Sequence, residues 1–375
     1  MRILVAPQEF KGTLTAREAA EAMARGLERA LPDAEIELLP LADGGPGTVE
    51  VLVEAARGRY QTTEVRDPLG RPVRARWGAM GDKQTAVIEM AAASGITLLA
   101  PDERDAMRAS TFGTGQLIAA ALAARYRRLI IGAGGSATND GGAGAAQALG
   151  VRFLDAQGDE LEPGGAALAG LAKIDMKGLD ARLADVDLYV ATDVASPLCG
   201  PDGASLLYSA QKGATPAQAH ALDEALAHYA EVIKRDLGVD VAGVAGAGAA
   251  GGLAAGLIAF CGARVRPGFD VVAELAGFAE RMRAADLILT GEGRLDRQTA
   301  FGKTPAGVAQ AARAASKPCV AVVGSVREHE TASLFDAVCA VTPDLASEAD
   351  ALARPADLVA RAAELAGVWW SMRPK

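Results

Sequence analysis

The sequence predicts an α/β protein: a parallel-sheet domain, with a second α/β domain inserted into it. Three observations carry this prediction. Short apolar runs alternate with amphipathic stretches of helical period at both ends of the chain. Glycines, lysines and carboxylates follow those apolar runs, as is typical of the carboxyl ends of parallel strands. The middle of the chain opens instead on short runs separated by a Pro-Leu-Gly turn, a pattern that favours antiparallel strands.

The two ends of the chain together supply five strand–helix units. The predicted strands are 2–6, 35–39, 286–290, 318–323 and 337–341. The predicted helices are 15–31, 48–57, 305–316, a short one near 330–335, and 346–366. Thr15 and Glu18 have the spacing of a capping box, which fixes the start of the first helix.

Neither end alone has enough strands for a stable parallel sheet. We therefore expect one discontinuous, flavodoxin-like domain formed by residues 1–60 and 285–375. Residues 61–284 would form the inserted α/β domain, which carries the glycine-rich loops. Its predicted antiparallel strands are 61–66, 73–78 and 85–89, and its predicted helices are 114–125, 141–149 and 216–237.

Composition excludes several classes of protein. Half of the 375 residues are hydrophobic, which is enough for a sizeable core, and the net charge of −9 disfavours nucleic acid and anionic membranes as partners. The uncharged run 241–263 is rich in alanine and glycine, so we expect a loop and a buried helix rather than a membrane span. The four cysteines lack metal-site or disulfide spacing, and we expect no secretory signal, so the sequence favours the cytoplasm.

A glycine-rich segment at 132–144 is the most informative part of the chain. It follows an apolar run and precedes a helical pattern, so its backbone N–H groups are free to point at an anion. Because each glycine costs backbone entropy, we attribute the glycines to ligand binding rather than to packing. The candidate binding residues are Gly134, Gly135, Ser136, Thr138, Asn139 and Asp140.

A second glycine-rich segment, 246–251, matches G-x-G-x-x-G by letter. It lacks the clear preceding strand and the acidic residue about twenty positions on that a dinucleotide site requires. Close packing of a helix explains such a match, and a loop that binds a polyanion remains open. In that second interpretation Gly248 and Gly251 are binding residues.

Two carboxylates follow the strand predicted at 286–290. Glu292 and Asp296 have the glycine-spaced arrangement that suits Mg²⁺, which takes one or two protein carboxylates together with phosphate oxygens and waters. The alternative is an ordinary capped turn in which Arg294 pairs with an acid.

Other polar residues end the remaining predicted strands. Asp193 either accepts a proton from a substrate hydroxyl or caps the next turn. Lys11 lies beside a predicted helix start, where it suits a carboxylate or a phosphate. Lys303 precedes a helix with Pro305 in its first turn and offers a point charge to phosphates; a solvated lysine is the alternative. Asp43 is a metal ligand, an acceptor for a substrate hydroxyl or a turn residue.

Several motifs in a fixed order resemble the class I glycerate kinases, over essentially the whole chain. They are Phe10-Lys11-Gly12, Ala42-Asp43-Gly44-Gly45, Ile88-Glu89-Met90-Ala91, residues 134–142, Thr192-Asp193-Val194, Gln211-Lys212-Gly213-Ala214, residues 246–252, Leu289-Thr290-Gly291-Glu292-Gly293, and Asp296-Arg297-Gln298-Thr299 followed by Gly302-Lys303. The resemblance implies a flavodoxin-like domain with an inserted α/β domain. It also implies phosphorylation of glycerate by ATP and Mg²⁺, with 2-phosphoglycerate favoured over 3-phosphoglycerate as product.

In the function that this resemblance implies, each candidate residue has a role. Asp193 would orient or deprotonate the substrate hydroxyl, and Glu292 and Asp296 would hold Mg²⁺ directly or through water. Lys11 and Lys303 would neutralise the substrate carboxylate and the developing phosphoryl charge. The two glycine-rich loops and Asp43 would line the region of the nucleotide or the substrate.

The chain also departs from the family pattern. Gln8, Pro46 and Ala195 stand where the family usually has other residues, which leaves the substrate and the phosphorylated hydroxyl open. Two other functions are kept: an NAD(P)-dependent oxidoreductase using the loop 246–251, and a non-catalytic regulator that binds a small anion. The oligomeric state is left open.

Overall fold

The structure is a computed structural model that describes residues 1–300 and 303–373. Its strands are β1 (Arg2–Val5), β2 (Glu35–Leu38), β3 (Arg59–Arg66), β4 (Pro72–Ala79), β5 (Thr85–Glu89), β6 (Arg128–Gly132), β7 (Arg152–Leu154), β8 (Lys173–Asp175), β9 (Asp187–Ala191), β10 (Arg264–Arg266), β11 (Leu287–Leu295), β12 (Cys319–Val326) and β13 (Ala337–Thr342).

Its helices are α1 (Ala16–Ala30), α2 (Thr48–Ala55), α3 (Ala91–Ser94), α4 (Phe112–Ala123), α5 (Ala143–Ala148), α6 (Ala204–Tyr208), α7 (Pro216–Leu237), α8 (Ala249–Cys261), α9 (Gly268–Leu275), α10 (Phe278–Ala284), α11 (Arg297–Ala300), α12 (Thr304–Ala314), α13 (His329–Ala332), α14 (Glu348–Ala353) and α15 (Pro355–Ser371). The chain divides into two compact units. The first comprises Met1–Asp43, Glu50–Ala55 and the described residues within Pro267–Lys375, and the second comprises Gly44–Val49 and Ala56–Arg266.

The first unit is built on a parallel sheet with the strand order β13-β12-β11-β1-β2. Strands from the two ends of the chain meet where β1 pairs with β11, in the register Ile3 to Leu287. Alternate strand residues pack with the buried faces of α1 and α15 into one core. These two helices lie so close that a Cβ atom on Gly26 would stand 2.0 Å from the carbonyl oxygen of Ala360. The predicted α/β fold with a flavodoxin-like parallel sheet is confirmed.

The second unit contains a mixed sheet with the strand order β10-β9-β6-β5-β4-β3. The predicted antiparallel strands pair as expected, β3 with β4 and β4 with β5. On its other side β5 pairs with β6 in parallel, and β6, β9 and β10 continue that parallel part. The glycine-rich loop after β6 therefore begins at the carboxyl end of a parallel strand.

The uncharged run 241–263 contains the buried helix α8. Among the described residues, no helix combines the length and the apolar character needed to cross a membrane.

Three local predictions were wrong in detail. The helix predicted at 346–366 is two helices, because Pro355 disfavours helical backbone at the preceding residue and α14 ends at Ala353. The helix near 330–335 is the short α13. The strand predicted to end at residue 290 runs on to Leu295, since β12 continues beside it and pairs Arg294 with Ser325.

Candidate active site

In the first unit, a pocket of about 360 Å³ lies at the carboxyl ends of the parallel strands. Charged and amide side chains line what we name the polar end: Gln8, Glu9, Lys11, Glu292, Asp296 and Lys303. Aliphatic residues line what we name the apolar end: Val341, Ala351, Leu352, Pro355 and Val359. Four of the predicted site residues, Lys11, Glu292, Asp296 and Lys303, are thus brought to one pocket.

Glu292 is the central carboxylate of the polar end. It lies within β11 and not in the turn that the sequence predicted, and only 3 % of its surface is exposed. The hydroxyl of Thr299 donates a hydrogen bond of 2.5 Å to its Oε1 atom. Burial raises the pKa of Glu292 to about 7; Thr299 and Lys303 oppose the rise, and Asp296 and Asp43 add to it. Asp43 therefore belongs to the same electrostatic cluster as the two predicted metal ligands.

Glu9 is a member of this cluster that the sequence analysis did not single out. Burial raises its pKa, Lys11 lowers it and Asp43 raises it again. Four carboxylates and two lysines thus act on one another at this strand edge. Its position after β1, at the carboxyl end of a parallel strand, was the sequence signal that could have identified Glu9 as a site residue.

The start of α12 contributes a second polar feature. Lys303 occupies the N-cap position, and no side chain caps the first turn within the described residues. The hydroxyl of Thr304 is fully buried and has no hydrogen-bond partner there. An uncapped helix start beside a lysine attracts anions, because its N–H groups carry partial positive charge. Gly302, part of the family motif, lies outside the described residues.

Asp140 holds the glycine-rich loop of the second unit from inside. It is fully buried, and its carboxylate accepts hydrogen bonds from the N–H of Thr111 at 2.8 Å, from the Thr111 hydroxyl at 2.9 Å, and from the N–H groups of Gly142 and Gly144 at 3.1 and 3.2 Å. Burial raises its pKa, and these hydrogen bonds oppose the rise. In this structure Asp140 therefore fixes the loop, with its oxygens already engaged.

A buried lysine supports the same loop. Lys212 is 2 % exposed, and its ammonium group donates a hydrogen bond of 2.7 Å to the carbonyl oxygen of Thr138. Burial lowers the pKa of Lys212 to about 8, and the Asp140 carboxylate opposes that shift. Asn139 is also fully buried and donates from Nδ2 to the hydroxyl of Ser205 at 2.8 Å. In the sequence Lys212 stands out only as part of a family motif, because nothing in its neighbouring residues marks it as buried.

The glycines of this loop do have a packing explanation, contrary to the sequence-based argument. A Cβ atom on Gly134 would lie 2.6 Å from the Cα atom of Gly45, and one on Gly144 would lie 2.1 Å from the hydroxyl oxygen of Ser110. Gly142 has a φ of +76° and packs against the backbone of α8. Gly135 has a φ of +71°. Close backbone approach and left-handed conformation account for these residues, while Ser136 bridges to Gly95 at the loop's start.

The second glycine-rich segment packs between two other loops. A Cβ atom on Gly248 would lie 2.2 Å from the carbonyl oxygen of Pro197, and one on Gly251 would lie 1.9 Å from that of Thr138. The segment thus joins the loop that carries Asp193 to the loop that carries Asn139. Residues 238–245 before it are turns and irregular backbone rather than the strand of a dinucleotide fingerprint. This geometry favours the packing interpretation.

Asp193 follows the end of β9, as predicted, and is half-buried. The hydroxyl of the neighbouring Thr192 accepts a hydrogen bond from the N–H of Val194 at 3.2 Å. Within residues 1–300 and 303–373, no group of three or more His, Cys, Asp or Glu side chains is arranged to hold a metal ion. A metal ion bound by one or two of the described carboxylates would therefore need further oxygen ligands from a substrate or from water.

Comparison with known proteins identifies the family. The family model described as Glycerate kinase family matches residues 3–371. The chain belongs to the glycerate kinase family. The resemblance drawn from the motifs, and the prediction of an enzyme, are thereby confirmed.

Relatives and solved structures of this family match over nearly the whole chain. The glycerate kinase of Bacillus subtilis (strain 168) is 48 % identical over 97 % of this chain and 96 % of its own length. The glycerate 2-kinase of Escherichia coli (strain K12) is 46 % identical over 88 % of this chain and 86 % of its own. The crystal structure described as glycerate kinase 2 from Salmonella typhimurium LT2 superposes with a TM-score of 0.88 at 47 % identity, covering 99 % of this chain and 98 % of that one. These matches favour neither the oxidoreductase nor the non-catalytic regulator.

Proposed function

We propose that this chain transfers the γ-phosphoryl group of ATP to D-glycerate in a reaction that depends on Mg²⁺, and that the product is 2-phosphoglycerate. Membership of the glycerate kinase family supports the acceptor, and the relative named glycerate 2-kinase supports the 2-position. We place the reaction in the cytoplasm, which suits an ATP-dependent enzyme with four free cysteines.

The observation that carries the proposal is the charge arrangement at the polar end of the pocket. Phosphoryl transfer demands little covalent help, so catalysis rests on positioning and on neutralising charge. Lysines beside a cluster of carboxylates meet this need, because the lysines bind anionic oxygens and the carboxylates bind cations. A site that binds only a simple anion has no use for four carboxylates.

The residues present fit Mg²⁺. Glu292 and Asp296 supply hard carboxylate oxygens, and repulsion from Asp296 and Asp43 contributes to the raised pKa of Glu292. The Oε1 atom of Gln8, a residue that is 3 % exposed, has no hydrogen-bond partner among the described residues, which suits an acceptor for a metal-bound water. We propose Glu292 and Asp296 as the residues that hold the ion. When bound, Mg²⁺ would neutralise phosphate oxygens and screen these carboxylates.

The remaining roles follow from the charges of the side chains. Lys303 and the start of α12 would bind phosphate oxygens, and Lys11 would neutralise the substrate carboxylate or a phosphate. In the second unit, Asp193 would orient the attacking hydroxyl and accept its proton. The loop that carries Ser136 would line the nucleotide or the substrate.

A product analysis tests the proposal. The protein is incubated with ATP, Mg²⁺ and D-glycerate, ADP release is followed by a coupled assay, and the product is identified by ³¹P NMR. We expect ADP and 2-phosphoglycerate in equal amounts. No turnover with glycerate or related hydroxy acids would refute the kinase, and 3-phosphoglycerate would refute the position.

A variant tests the base. Asp193→Asn keeps the shape of the side chain and removes its ability to accept a proton, so kcat should fall by about 10²–10⁴-fold with an unchanged fold. Asp202→Asn, an exposed neighbour in the same region, is the matched control. Equal kcat values for the two variants would remove Asp193 from this role.

A further inference from the structure

The pocket of the first unit has an apolar end that the chemistry of glycerate does not explain. A volume of about 360 Å³ lies within the range that houses drug-sized ligands. Glycerate is far smaller, and every one of its carbon atoms carries oxygen. A ligand that is charged at one end and flat and apolar at the other matches this pocket better.

Leu352 is the residue that argues most directly for a missing apolar partner. It lines the pocket, yet 65 % of its surface is exposed, more than for any large apolar residue except Met372 among those described. Val341 and Val359, which line the same end, are both 2 % exposed and give it a rigid floor. An exposed aliphatic side chain that shares a pocket with buried apolar residues offers apolar surface to a ligand, and covering Leu352 would remove that surface from water.

The other end of the pocket suits a polyphosphate. Lys303 lines it at the start of α12, where no side-chain cap is found among the described residues, and the buried hydroxyl of Thr304 at the same helix end has no partner among them either. Lys11 adds a second cation. In doubly wound sheets, ligands bind at the carboxyl ends of the strands beside the point where the strand order reverses. In the first unit that point lies between β1 and β11, and the polar end is formed there.

The geometry points to this pocket as the nucleotide subsite, with the polyphosphate at the polar end and the purine base in the apolar end against Leu352. The inference rests on the proposed kinase function and adds the place of the nucleotide and the residues that contact its base. Glu348, in the first turn of α14, also lines the pocket and supplies an acceptor for a ribose hydroxyl or an exocyclic amine. Base selectivity would then depend on α14 and α15 rather than on the glycine-rich loops.

The test replaces Leu352 and measures binding of the base separately from binding of the phosphates. Leu352→Glu is compared with Leu365→Glu, since Leu365 is also exposed, at 38 %, lies on α15 and does not line the pocket. Calorimetry is run with a non-hydrolysable ATP analogue and with inorganic tripolyphosphate, both with Mg²⁺. Steady-state assays give KM for ATP and for D-glycerate.

We expect Leu352→Glu to weaken binding of the ATP analogue and to raise KM for ATP, each by about tenfold. Binding of tripolyphosphate and KM for D-glycerate should be unchanged. Leu365→Glu should behave as the wild type. Three results would each overturn the placement of the base against Leu352: an unchanged KM for ATP, an equal loss of affinity for tripolyphosphate, or a rise confined to KM for D-glycerate. Absence of ATP-dependent turnover in the wild type would instead refute the proposed function.

Discussion

Replacement of Gly251 by alanine is predicted to destabilise the second unit for two separable reasons. The residue has a φ of +69°, a conformation that an L side chain adopts only with strain. A Cβ atom would also lie 1.9 Å from the carbonyl oxygen of Thr138, which is backbone that cannot move aside cheaply. Thr138 is itself held by the ammonium group of Lys212.

The magnitude follows from these two terms. The left-handed conformation costs about 1–2 kcal/mol, and overpacking costs about 1–3 kcal/mol, so Gly251→Ala should lose about 2–5 kcal/mol of stability. Gly262, at the end of the same helix, is the matched control. Its φ is +63°, but no described atom lies within 4 Å of the added Cβ. Gly262→Ala should therefore lose only the conformational term.

Tryptophan fluorescence provides an assay specific to the second unit. The chain has three tryptophans, and in a Trp369→Phe, Trp370→Phe background only the buried Trp77 reports. Urea unfolding followed through Trp77 should show the larger loss for Gly251→Ala. Equal losses in the two glycine variants would show that the close approach to Thr138 carries no energy and would refute the packing explanation.

Three further predictions concern buried charges. Asp140→Asn should lower the free energy of unfolding by about 3 kcal/mol, because the amide cannot accept all four hydrogen bonds. Asp155→Asn, at a half-buried turn residue, should lower it by less than about 1 kcal/mol, and both are measured by urea unfolding. Between pH 4.5 and 7 the folded chain keeps a proton on Glu292 that the unfolded chain has released, so the stability of the wild type relative to Glu292→Gln should fall by roughly 3 kcal/mol across that window. Between pH 8 and 10.5 the unfolded chain holds a proton that native Lys212 has lost, so the stability of the wild type relative to Lys212→Met should rise with pH.

Each of these has a contrary outcome. Equal losses for the two aspartate variants would mean that the internal hydrogen bonds of the loop are not limiting. A constant stability difference between wild type and Glu292→Gln across its window would show that Glu292 does not titrate there. A constant stability difference between wild type and Lys212→Met from pH 8 to 10.5 would show that burial does not lower the pKa of Lys212.

Elements with local signals at both ends were predictable. The helix predicted at 216–237 has those bounds in the structure, because Thr215 forms a capping box with Gln218 and Gly238 ends the helix in the left-handed conformation. The capping box of Thr15 and Glu18 is present as well. The end of β11 was missed, since its length depends on pairing with β12, a strand that lies over twenty residues later.

Some residues of the candidate site were predictable from the sequence and others were not. Lys11, Glu292, Asp296 and Lys303 were found because each follows a strand or begins a helix, and such positions are readable along the chain. Glu9 and Lys212 were missed as participants, because their importance comes from burial and from charges on distant segments.

By itself, the sequence determined the kind of protein: an α/β chain, its parallel sheet shared by the two ends, its family and the residues at its strand ends. Hydrophobic periodicity, capping residues and ordered motifs predict these features, because such patterns can be read from residues close together in the sequence. Only the tertiary structure decided how those residues are arranged and buried. It made Asp140 a loop support, explained the glycines by backbone contact, and gathered four carboxylates and two lysines at one strand edge. Burial, desolvation and close approach are properties of segments far apart in the chain, and no local pattern encodes them.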